Sequence, residues 1–172
     1  MTEDREGSVP TQSVLKEISA ALKEKGTFDR DLSPQEVEQF MSEIVTSMIA
    51  ERGGIQASIK SLSVTIENAR AKLEAQLAVK KAFVKANVAM TLELENSSEQ
   101  GRLKTSSEPQ ASTSNGLAKP YVETARQGLS DPNALIFKGL SQYFAKQQIN
   151  ISQMGLTLRP NTLGVQLTVQ PK

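Results

Sequence analysis

Residues 58–95 read SIKSLSVTIENARAKLEAQLAVKKAFVKANVAMTLELE, and their alternation decides the fold. Three runs place an apolar residue at every second position. The first is Leu62, Val64, Ile66; the second Ala69, Ala71, Leu73, Ala75, Leu77, Val79; the third Val84, Ala86, Val88, Met90, Leu92, Leu94. A period of two sends successive side chains to opposite faces of a pleated strand. Arg70, Lys72, Glu74, Gln76 and Ala78 intervene in the second run, giving that strand one wet face and one dry one. Asn68 tolerates tight-turn geometry, so the first two strands meet near Glu67-Asn68. Lys80-Lys81 discourages continuation and favours a connection. The third strand ends in a turn over residues 96–101, with a short return over 102–105. Three or four antiparallel strands in sequence make a meander with one dry face.

Helices precede the meander. Residues 1–10 read as a disordered lead, and residues 11–172 as a single α+β domain. Val14, Leu15, Ile18, Ala21 and Leu22 recur at helical spacing, and Gly26 supplies a left-handed stop after Lys23 and Lys25. Ser33-Pro34-Gln35-Glu36 is a capping box with proline at the first helical position. It opens a helix whose stripe is Val37, Phe40, Met41, Ile44, Val45, Met48 and Ile49, ending at Gly53-Gly54. Methionines in such a stripe serve adaptable grooves, but core packing is their commoner use.

After the meander, residues 106–117 are nearly devoid of apolar side chains and read as a mobile loop, a lid or a tolerated insertion. A short helix over 120–128 turns Tyr121, Val122 and Ala125 inward. Asp131-Pro132 opens another helix, as cap and first residue, with Leu135, Ile136, Leu140, Tyr143 and Phe144 as its stripe. This helix, ending near Gln147, is expected to lie against the dry face of the sheet. A hairpin closes the chain: Ile149, Ile151, Met154, Leu156 and Leu158, a turn at Pro160-Asn161, then Leu163, Val165, Leu167 and Val169. Gly155 and Gly164 read as bulges or bends within it.

Composition removes several chemistries. The 172 residues contain neither Cys nor His. Disulfides, thiol nucleophiles, His-based triads and zinc sites with the usual ligands are therefore out of reach. Ser13 and Lys16 have the spacing of a Ser–Lys nucleophile pair, but a helix cap and a solvated lysine account for them without its companion motifs. Glu93 and Glu95 project from one strand face, as an acid/base pair or a cation site would, beside a turn where solvation is the simpler role. Gly53-Gly54 lacks the strand and the Lys-Ser/Thr of a phosphate loop. No catalytic residue, metal or cofactor is expected.

The net charge of +1 hides an asymmetry. Residues 1–51 carry five Lys/Arg against eleven Asp/Glu, and residues 52–172 carry fifteen against eight. A basic surface toward an anionic partner and unpatterned solvated charge both fit. The basic residues lie singly among the strands without aromatic platforms, so nucleic acid is not expected. No apolar run reaches the roughly 20 residues of a membrane span, and the start is unlike a secretory signal. The chain as given reads as soluble, cytoplasmic or membrane-peripheral. A chain beginning downstream of an anchor would read the same.

One order of elements is familiar. Residues 32–37 (LSPQEV) open a helix, residues 59–68 (IKSLSVTIEN) open the sheet, and the meander runs through 92–96 (LELEN) and 101–104 (GRLK). An amphipathic helix then leads into a final two-stranded segment from Ile149. Over about residues 32–170 this resembles the LmeA-like family of bacterial envelope proteins, relatives of the tubular lipid-binding (TULIP) folds. The resemblance implies a curved sheet wrapping a helix around an apolar cavity, lipid or other apolar-ligand binding, and no catalytic residues.

The expected fold is thus α+β: a curved antiparallel sheet, made of the meander and the C-terminal hairpin, around or under an amphipathic C-terminal helix, with two N-terminal helices. The expected function is noncatalytic binding of a lipid or another apolar small molecule, possible at an anionic membrane surface. The alternative is an assembly module that binds a protein partner or a second copy through a sheet edge or helix face. The candidate cavity lining is Leu73, Leu77, Val88 and Leu92 from the sheet, Phe137 and Phe144 from the helix, and Leu156 and Val165 from the hairpin, although dry-face residues are more often core than ligand wall.

Overall fold

A computed structural model describes residues 13–50, 56–81, 84–113, 115–116 and 119–170. The described chain is α+β, with two open antiparallel sheets and four helices. Helix α1 (Val14–Lys25) starts where the Ser13 hydroxyl accepts from the Lys16 amide. It stops at Gly26, whose φ of 76° only glycine adopts without strain. Strand β1 (Thr27–Leu32) follows, then α2 (Pro34–Ala50). Ser33 and Glu36 close the expected capping box reciprocally, at 3.2 and 3.0 Å.

The meander is β2 (Gln56–Glu67), β3 (Arg70–Lys81) and β4 (Val84–Asn96). Its registers put Val64, Leu73 and Leu92 side by side, and likewise Ile59, Leu77 and Val88. The expected single dry face is there. The β2–β3 turn falls on Asn68 and Ala69, with φ of 54° and 60°. Ala69 is therefore a turn residue rather than a strand residue, in the left-handed region that a type I′ hairpin turn demands. Strand β5 (Leu103–Thr105) is the expected return along β4.

Three sequence readings are corrected and one strand is added. Strand β1, in which Asp29, Arg30 and Asp31 interrupt the apolar residues, carries no expectation from the sequence. It forms by pairing along its length with the last strand. Residues 106–117, read as loop, contain β6 (Gln110–Thr113), which pairs with Val88–Thr91 of β4 through its backbone. Residues 114 and 117 of that loop lie outside the described residues. The hairpin β7 (Ile151–Leu158) and β8 (Leu163–Val169) joins β1 in a separate three-stranded sheet, ordered β1-β8-β7. Lastly, Gly155 and Gly164 stand in regular register, and the break lies between Ile151 and Gln153. The glycines permit close approach instead: a Cβ on Gly164 would sit 3.0 Å from Asp31 Oδ1, and one on Gly155 3.1 Å from Gln166 Oε1.

Backbone-like side chains join the two sheets. The Leu158 amide donates to Asn96 Oδ1 at 2.8 Å, and Asn96 Nδ2 donates to the Leu158 carbonyl at 2.9 Å. Leu156 N–H donates to the Gly101 carbonyl at 2.8 Å. Asn133 repeats the device inside the core: Leu103 N–H donates to its Oδ1 at 2.9 Å, and its Nδ2 donates to the Leu103 carbonyl.

Helix α3 (Lys119–Gly128) packs on β6. Helix α4 (Pro132–Ala145) starts at the expected cap, where Asp131 accepts from the Ala134 amide. The expectation that α4 lies along the dry face of the meander is revised. It packs against α2, β5 and β7, and α2 is the helix laid along β2. The start of α4, with Pro132, Leu135 and Ile136, shares a cavity wall with Leu73 and Leu92.

Candidate functional site

The eight residues read as cavity lining fall into three places. Phe144, Leu156 and Val165 are fully buried in the main core, with Phe40, Leu15 and Ile18 from the N-terminal helices. Leu73 and Leu92 join that core from the near end of the meander, the end of the Asn68-Ala69 turn. Leu77 and Val88 belong to a second apolar cluster at the far end, with Val122 of α3. Phe137 is half-buried and part of neither cluster.

The main core is closed. Between the near end of the meander and helices α2 and α4 lies an apolar cavity of about 20 Å³, bounded by Met41, Ile66, Leu73, Leu92, Leu94, Leu103 and Ile136 among others. That is room for about one water, against the several hundred Å³ of a small-molecule site. Ala71, a small residue on this face, is itself 6% exposed and packed over. In the closed half, dry-face residues are core.

The far half is packed differently. Leu77, Val88 and Val122 are buried, and Ile59, Val79, Met90 and Ala111 around them are half-buried. Ile59 stands three positions before Leu62, out of phase with the alternating runs. A register shift between Ile59 and Ser61 absorbs one residue, so Ile59 pairs with Leu77 and Leu62 with Ala75 on the same face. Helix α3 covers this half. Its Arg126 reaches Glu108 on the preceding loop at 2.8 Å and pairs with Glu123 one turn back. Hydrogen bonding from Arg126 holds the Glu123 carboxyl below its ordinary range. The side chains of Tyr121 and Ala125, expected to face inward, lie outside the described residues.

A second concavity runs along the sheet edge. It is an open groove of about 440 Å³ between α2 (Gln35, Glu36, Glu38, Gln39, Ser42) and β2 (Ile59, Lys60, Ser61, Leu62). Four of its polar groups are committed: Gln39 Oε1 accepts the Val14 N–H at 3.2 Å and Lys60 Nζ donates to Asn87 Oδ1 at 3.3 Å, beside the two acids. Glu38 Oε2 accepts the edge-facing Val64 N–H at 2.9 Å, and Glu36 accepts from Arg30 and Ser33. Burial pushes the Glu36 carboxyl up, but the Ser33 N–H and the Arg30 guanidinium outweigh it and hold the group below its ordinary value.

The residues weighed for chemistry have structural partners. Glu95 lies between Arg70 at 3.5 Å and Lys104 at 3.3 Å, and Glu93 accepts from the Ser107 hydroxyl at 2.9 Å. Ser13 is a helix cap. Among the described residues no three acidic side chains gather as a cation site would require, and no helix is long and apolar enough to cross a membrane. Compared with models of known protein families and with curated proteins, the chain matches none.

Proposed function

We propose that this protein binds an apolar ligand, a lipid acyl chain or a molecule like it, without catalysis, between α3 and the far half of the five-stranded sheet. One observation carries this reading: the dry face divides. Its near half is sealed by two helices around a cavity of about 20 Å³. Its far half is covered by a ten-residue helix and ringed by half-buried Ile59, Val79, Met90 and Ala111. Displacing such a cover exposes a continuous apolar surface, which an acyl chain would bury again at about 25 cal/mol per Å². The resemblance to the LmeA-like family points to the same class of ligand. Native mass spectrometry and solvent extraction of freshly purified protein should show bound lipid, and an apolar fluorescent probe should be taken up and displaced by fatty acid. Val122→Gln should lower the uptake. Protein that yields no lipid and takes up no probe above a lysozyme control would refute the reading.

The groove beside β2 favours a second reading, an assembly module to which an extended segment adds as a further strand. The edge is only partly open to this, since Glu38 already occupies the Val64 N–H and Lys60 stands at the bulge. A mass that rises with concentration, or a co-purifying partner lost on Leu62→Pro, would support it. A concentration-independent monomer without partners would end it.

A further inference from the structure

The antiparallel registers bring together three stretches that are basic and free of acid. Residues 53–66, 75–92 and 109–122 contain Lys60, Lys80, Lys81, Lys85 and Lys119, and no Asp or Glu. Pairing stacks these stretches at the far end of the sheet: Gln56 beside Lys80 beside Lys85, Ser58 beside Ala78 beside Asn87, and Val88 beside Thr113. Lys80 and Lys85 are direct cross-strand partners, both exposed. Like charges so placed destabilise a strand pair, unless a counter-charge comes from outside. The near end is built the opposite way. There Glu95 bridges Arg70 and Lys104, and Lys72 sits with Glu74. A sheet twelve residues long, roughly 40 Å, therefore has one end of balanced charge and one end of lysine alone.

We infer that the far end of the five-stranded sheet docks on the surface of an anionic lipid bilayer. Charge complementarity selects this occupant, and the opposite face of the same strands supports it. Ile59, Val79 and Met90 stand half-buried there, ready to meet the boundary of headgroup and acyl chain while Lys80 and Lys85 reach phosphates. The inference deepens the ligand-binding reading, and rests on it in one respect: docking would bring the apolar cluster under α3 to the source of its ligand.

The test is flotation of the full chain with vesicles of phosphatidylcholine alone and with about one-third phosphatidylglycerol. The protein should bind the anionic vesicles, and rising salt should release it. Lys80→Glu with Lys85→Glu should weaken binding at least about thirtyfold, at unchanged melting temperature. Lys72→Glu with Lys104→Glu, at the near end, should leave it within about twofold. Equal binding to neutral vesicles, equal loss in both double variants, no binding at low salt, or tighter binding to a short DNA duplex at the same salt would each overturn the inference. Probe uptake in vesicle-free solution separates the two claims. Uptake without vesicle binding defeats docking alone, and vesicle binding without uptake defeats the ligand site alone.

Discussion

Asn96 treats Leu158 as a neighbouring strand would, taking its N–H at 2.8 Å and giving to its carbonyl at 2.9 Å. The pair is sixty-two residues apart in sequence and fastens the end of the meander to the three-stranded sheet. Leu158 is buried, so the two backbone groups have poor access to water in compensation. Asn96→Ala should cost about 1–3 kcal/mol, read as a lowered urea midpoint at constant slope. Asn96→Asp keeps the acceptor and loses the donor, and should fall between.

The core assignments separate by truncation. Phe144 and Leu156 have no exposed surface, so Phe144→Ala should cost about 3–5 kcal/mol and Leu156→Ala about 2–5 kcal/mol. Phe137, half-buried and outside both clusters, should cost no more than about 1 kcal/mol. Equal losses at Phe137 and Phe144 in denaturant titrations would contradict the packing described.

Two left-handed residues should respond in opposite directions. Gly26→Ala should destabilise by about 1 kcal/mol, since the site holds φ at 76° while the nearest atom to a new Cβ is an ordinary 3.5 Å away. Strain, not collision, sets that cost. Ala69→Gly relieves the same strain at φ of 60°, partly offset by a freer unfolded chain, and should stabilise by up to about 1 kcal/mol in thermal melts.

The capping box should show in acid. Ser33→Ala should cost about 1 kcal/mol. Glu36 has a lowered pKa in the folded chain, so its contribution is present above its unfolded value and is lost as pH falls through the folded one. The stability gap between wild type and Glu36→Gln should hold near neutral pH and shrink below about pH 4.3. A gap that widens in acid would reverse the sign.

The parts legible in sequence are those where one element carries its own signal. Period-two alternation marked β3 and β4, Ser33 and Glu36 marked the start of α2, and Pro160-Asn161 marked the last turn. Strand β1 carried no such signal, because only Phe28 and Leu32 are buried and three charges stand between them. Its existence depends on β8, a partner that local pattern does not reveal. Strand β6, Gln-Ala-Ser-Thr, has Ala111 as its one apolar residue, too little for local pattern to mark a strand that forms by pairing with β4. The candidate site was legible only as a face. That α2 and α4 close one half of it and α3 the other follows from three-dimensional packing. That Ile59 joins it follows from a one-residue bulge that breaks the very period being read.

The pairing of β1 with β8 also governs the order in which the molecule can be made. Thr27 meets Thr168 and Leu32 meets Leu163, so a strand synthesised early must wait for a hydrogen-bonding partner more than 130 residues further along the chain. The meander, whose strands are sequence neighbours, can fold during synthesis while Phe28 and Leu32 wait for their cover. Contacts of such long range are slow to form. Closure of the small sheet is thus the expected late step of folding, and a chain cut short before Leu163 would leave β1 with a bare edge on each side.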